Sequence, residues 1–319
     1  MARDQYLQAV RGVAITVVVL IHCLPQCMFA IILRPFLNWG VAAFLFLSGF
    51  LTSEAKVVAG GVLARRAKRT LPSYVVWSVF YAVLLQRVGV LGTLKLVLTA
   101  GASAQMYFIA VYLQLVVLTP LLYWLLHRCR WLVYAISPIS LVAYEVVTAM
   151  QFCFPVLGRL FPFWLIFYVI GLDWDRWKCA AARCRRFVAP CVLVTIGCQV
   201  VAGFCWNALG NYNMATTQLK LSSMASSLAV IVAIKTVSSG MKLSLADSPF
   251  AKLGDASFGI YLCHILVLAI LQKLLGSLFL PLWVGTVVLW MATLLFSDIV
   301  VTAASRLLPK RVTDLIGFS

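Results

Sequence analysis

Long apolar stretches, each broken by a short polar or charged turn, recur along the whole chain. Lipid offers no partners for exposed backbone, so apolar runs of about 17–25 residues read as spanning helices. The pattern predicts ten, at 6–30, 36–55, 71–91, 105–126, 131–150, 159–174, 187–206, 217–237, 256–275 and 281–305. The first run is too long for a secretory signal and is followed by more of its kind, so it is expected to remain as the first span. No internal repeat, low-complexity segment or glycine-rich phosphate loop interrupts the pattern. The expected fold class is all-α and integral to a membrane, with a single domain over 1–319.

Composition agrees, with 63% hydrophobic residues, 11% charged residues and a mean hydropathy of +1.01. That is far too apolar for a soluble domain. A formal charge of +17 raises the question of nucleic acid, but the distribution answers it. With the amino terminus placed in the cytoplasm, only Arg34, Arg87, Lys95, Arg159, Lys220 and Lys273 fall outside, out of 26 lysines and arginines. The positive-inside rule then puts both termini in the cytoplasm and makes the basicity a matter of topology, with membrane lipids rather than nucleic acid as the partner. Ten cysteines and three histidines show no metal-ligand spacing, so no metal is expected.

The first span carries Arg11 and His22 inside an apolar run, where ionisable groups are costly. Eleven residues is three helical turns plus about 20°, so both side chains share a face, about 16 Å apart along the axis. Such a stripe suits a molecule held by its negative end near Arg11 and worked on at His22. The plainer alternative lets Arg11 snorkel to the headgroups and His22 bond a neighbouring helix. Ser48, in the small-residue stretch Gly40 to Phe50, is either a backbone-bonded membrane serine or part of a site. Arg65, Arg66, Lys68 and Arg69 precede Pro72 and Tyr74 in what reads as a loop entering the third span. Their guanidinium groups suit phosphate, or else anchor the chain to anionic lipid. Glu145 is expected to orient the histidine or to pair with Arg159. His264, three residues after Tyr261, is expected either to bond a neighbouring helix or to join the site.

Taken together, these motifs resemble the acyltransferase 3 family of multi-spanning membrane acyltransferases, which includes bacterial O-acetyltransferases acting on surface polysaccharides. Arg11 and His22 stand at the family's Arg-x10-His spacing, and Gly40 to Phe50 is similar to its glycine and serine-glycine-phenylalanine stretch. Arg66-x-x-Arg69 with Pro72 and Tyr74 resembles its arginine motif, and Phe258 to His264 its late tyrosine-leucine-x-histidine element. Gln8 departs from the pattern, since many members carry an acidic residue there.

The resemblance implies an O-acyltransferase of the bacterial inner or plasma membrane. It uses acetyl-CoA, or another acyl-CoA, as co-substrate and binds no tight cofactor. Arg66 and Arg69, with Arg11, Arg65 and Tyr74, would bind the donor. His22 would act as general base on a hydroxyl of a glycan or lipid-linked sugar, supported by Ser48, Glu145 and His264. The rival reading is a carrier or flippase, since ten spans with intramembrane charges describe transporters too. Against it stands the lack of an inverted repeat.

Overall fold

The structure is a computed structural model that describes residues 5–152, 156–238, 248–275 and 281–318. Arg3 and Lys242, which enter the sidedness argument, lie outside them. In chain order the helices are α1 (Gln5–Cys23), α2 (Met28–Leu37), α3 (Trp39–Phe50), α4 (Glu54–Val58), α5 (Val62–Leu84), α6 (Val90–Leu98), α7 (Met106–Arg128) and α8 (Arg130–Ala149). They continue with α9 (Leu165–Leu172), α10 (Trp174–Arg183), α11 (Val188–Ala208), α12 (Tyr212–Thr216), α13 (Leu221–Ser238), α14 (Pro249–Leu275), α15 (Leu282–Leu307) and α16 (Lys310–Ile316). Among the described residues there is no strand.

Eight helical segments of the described residues are long and apolar enough to cross a membrane, against the ten expected. The second of them joins α2 and α3 over Met28–Phe50, because α1 stops at Cys23 and the chain turns back through Pro25. The two other expected spans take different forms. Residues 71–91 correspond to α5, which starts at Val62 and ends at Leu84, so the arginine cluster is helical and is not a loop. Gly60 and Gly61, at φ of +83° and +75°, make the turn that starts it. Pro72 lies inside this helix; lacking an N–H, it forgoes the bond to the Lys68 carbonyl near the charged end. Residues 159–174 become two 3-10 turns, Leu157–Arg159 and Phe161–Phe163, followed by α9. Irregular backbone at that depth needs side-chain partners. Gln114 supplies them, donating to the Arg159 carbonyl at 3.1 Å and accepting the Phe161 N–H at 2.9 Å.

Helices α1 and α14 form the central pair. Gly12 lies against the Phe250 backbone, and Gly254 against the Gln8 backbone: an added Cβ would come within 1.8 Å and 1.9 Å of the respective carbonyl oxygens. Residues 8–12 thus meet 250–254, and His22 meets His264 further along, so the two helices run parallel in register. Without a hydrophobic force between helices in lipid, such small-residue contact lets backbones approach and pack. A second seam joins α3 to α9, where a Cβ at Gly49 would meet the Tyr168 carbonyl at 2.1 Å and one at Gly171 the Phe46 carbonyl at 2.3 Å. On α1's other flank, Trp290 of α15 donates its indole N–H to the Thr16 carbonyl at 3.0 Å.

Candidate active site

Two cavities flank this pair. The proximal one, about 370 Å³, lies toward the start of α1 and is lined by Arg11, Ser48, Arg66, Arg69, Tyr112 and Asp255, among others. The distal one, about 490 Å³, lies toward the end of α1 and is lined by His22, Arg34, Gln86, Tyr107, Arg159 and Trp164, among others. Helix α1 therefore contributes Arg11 to one and His22 to the other. Tyr261 of α14 lines both. Its ring packs on Phe108 at 5.1 Å between centroids, and Phe108 in turn faces Phe44 at 6.1 Å. The Tyr261 hydroxyl donates to the Gln105 carbonyl at 2.5 Å, which fixes the ring between the two spaces.

His22 faces the distal cavity, with its ring 5.2 Å from that of His264 and tilted by 50°. His264 is fully buried. Its Nδ1 lies 2.8 Å from the Tyr261 carbonyl and 3.1 Å from that of Ile260. Carbonyls only accept, so these contacts put the proton on Nδ1 and leave Nε2 as a lone pair. That Nε2 is buried without a hydrogen-bond partner among the described residues, beside the His22 ring.

At the proximal cavity, Arg66 is partly committed to the chain itself. It donates to the Leu51 carbonyl at 3.2 Å, the Ser48 carbonyl at 3.4 Å and the Thr52 hydroxyl at 2.5 Å, closing the carboxyl end of α3. Those carbonyls carry the negative end of the helix dipole, so a cation there stabilises it. Arg11 donates to Gln8 Oε1 at 3.3 Å. Arg69 is exposed. Ser48 joins this cavity and not the one that holds His22.

Three other expected site residues sit elsewhere. Arg65 is exposed and does not line the proximal cavity. Tyr74 is buried and does not line it either, donating its hydroxyl to the Val97 carbonyl at 2.5 Å. Glu145 neither faces His22 nor pairs with Arg159; it accepts the Leu221 N–H at 2.6 Å, capping α13. A carboxylate at a helix amino terminus is stabilised by the free N–H groups there.

Arg34 escaped the sequence reading as a functional residue. The turn after α1 brings α2 back alongside, and Arg34 Nη2 reaches the carbonyl of Ile21, the residue before His22, at 3.4 Å. Its proximity in sequence to His22, in an otherwise apolar stretch ending at Pro35, is the signal that would have pointed to it.

A family model for an acyltransferase domain matches residues 4–302. Neither the comparison with curated proteins nor that with solved structures returned a match.

Proposed function

The chain belongs to the acyltransferase 3 family, and from that premise we propose that it moves an acetyl group from cytoplasmic acyl-CoA to a hydroxyl of a glycan or lipid-linked sugar. The protein sits in a bacterial inner membrane with both termini in the cytoplasm. One observation carries the reading: Tyr261 lines both a cavity with three arginines and a cavity with His22.

In this mechanism the donor's phosphates rest on Arg69, Arg11 and the free edge of Arg66, where planar guanidinium groups match phosphate oxygens. The donor's flexible arm passes the Phe108 and Tyr261 rings and brings the thioester to His22. His22 takes the proton of the acceptor hydroxyl as that oxygen attacks the acyl carbon. The carbon–sulfur bond then breaks, and the thiolate of CoA recovers the proton from the imidazolium. His264, whose ring packs 5.2 Å from that of His22, is a positioning residue that holds the imidazole by packing against it.

The test is transfer of labelled acetyl from acetyl-CoA to surface glycan in cells producing the wild type or His22→Gln. Loss of roughly 10²–10⁴-fold is the expected size for a general base. Wild-type transfer by a well-expressed variant overturns the assignment. The two-cavity layout also favours a second reading as a carrier, which labelled-sugar uptake into vesicles without acyl transfer would establish instead.

A further inference from the structure

The distal cavity holds two guanidinium groups and, among the described residues, no carboxylate. Arg34 reaches it from α2, with Nη1 3.3 Å from the Thr216 carbonyl, Nη2 3.4 Å from the Ile21 carbonyl, and Nε buried without a partner. Arg159 reaches it from the 3-10 turn, with Nη1 donating to the Thr99 carbonyl at 2.8 Å. Neither takes part in an ion pair among the described residues. Nearby Lys220 is buried, but its ammonium donates to the Ala215 carbonyl at 2.7 Å, and Glu145 caps the adjacent Leu221 N–H. The cavity itself keeps a net positive field.

Carbonyls at 3.3–3.4 Å satisfy Arg34 only weakly. A cation withdrawn from water without a counter-charge is costly. A carboxylate or phosphate entering the cavity would relieve both cations and match the planar fork of a guanidinium. The rest of the wall suits a sugar. Tyr107 and Trp164 lie 5.3 Å apart and offer aromatic faces. Gln218 lines the wall, and its Oε1 has no partner among the described residues. Gln86 spends its amide N–H groups on the Gly101 and Ala102 carbonyls, at 3.0 Å and 2.7 Å, which leaves its Oε1 available to accept. A concave site with aromatic walls and a few polar groups fixes a ligand's orientation.

We propose that the distal cavity is the acceptor subsite and that it selects a sugar bearing an anionic group, either a carboxylate on the ring or a phosphate linking it to lipid, through Arg34 and Arg159. The inference rests on the acyl-transfer reading for the identity of the bound molecule as acceptor. Because Arg34 is tied to the carbonyl just before His22, an anion held there sits beside the base and leaves a neighbouring hydroxyl to meet it.

The experiment measures binding by the full-length protein in detergent or nanodiscs, with no acyl donor present. One arm compares methyl glucuronide with its uncharged methyl ester, and the other compares a short prenyl diphosphate sugar with the corresponding prenyl glycoside. In at least one arm the charged probe is expected to bind about tenfold or more tightly than its neutral counterpart, the size of one charge-assisted pairing. The arm that shows it identifies the source of the anion. The preference should fall to about twofold or less in Arg34→Gln and in Arg159→Gln, as expected when such a pairing is removed. Arg34→Lys should keep part of it, which guards against a fold defect. Equal binding of charged and neutral probes, no binding of any probe at millimolar concentration, or a preference that survives the double arginine variant overturns the proposal. A preserved preference in a wild type that transfers no acetyl would sink the acyl-transfer reading and leave this site standing.

Discussion

The proximal and distal cavities both recruit arginine, but only the proximal one includes an exposed guanidinium. There Arg11 and Arg66 are half-buried, Arg66 being held by the Ser48 and Leu51 carbonyls, and Arg69 is exposed. The distal pair is half-buried and pinned to backbone carbonyls of a turn and of the α12 end. Exposed charges are screened by salt within about 10 Å at 0.1 M, whereas buried ones keep their field. Under the proposed mechanism, the exposed Arg69 suits a donor that arrives and leaves with each turnover, and the distal pair suits a site that chooses among acceptors.

Replacing His22 with Gln should separate the two most sharply. Acetyl transfer should fall by roughly 10²–10⁴-fold, while acyl-CoA binding to the proximal side stays unchanged. Transfer assays beside a donor-binding titration check both halves. Gly254→Leu should damage both cavities at once, since a Cβ there would meet the Gln8 carbonyl at 1.9 Å and force α1 from α14. Overpacking of this kind costs about 1–3 kcal/mol or more. A thermal melt of the solubilised protein should show that loss together with reduced transfer, and a normal melt would refute the seam.

Arg69→Gln should act in the reverse sense to the histidine variant. It should raise KM for acyl-CoA about tenfold, the size of one charge-assisted contact, and leave kcat nearly constant. Added salt should weaken donor affinity in the wild type more than in this variant. Tyr74→Phe should touch neither cavity. It removes the hydroxyl that bonds the Val97 carbonyl, so a drop of about 1 kcal/mol in stability with unaltered kinetics is expected. A change in donor affinity instead would return Tyr74 to the site.

Much of the arrangement could be read from spacing alone. Arg11 and His22 share one helix with no interruption between them, so 3.6-residue periodicity was enough to align them. Tyr261 and His264 likewise sit on one uninterrupted helix. What periodicity cannot convey is where separate helices meet. Arg34 joined His22 only because the chain doubled back at Pro25, a tertiary event. Glu145 looked matched to His22 in depth, yet depth says nothing of azimuth, and its carboxylate met a helix start instead. The arginine cluster looked like a loop because charge usually marks one. Helix α5 simply extends past the apolar region and carries those charges on its first turns.

The parallel seam of α1 and α14 also sets an order of events. His22 emerges early from the ribosome, and His264 follows 242 residues later, after nearly every other span has been threaded into the bilayer. Contacts so distant along the chain form late, as loop closure dictates. His22 consequently waits beside an unfilled groove while most of the molecule is made, and under the proposed mechanism the nascent chain could spend no acyl donor before its biosynthesis is almost finished.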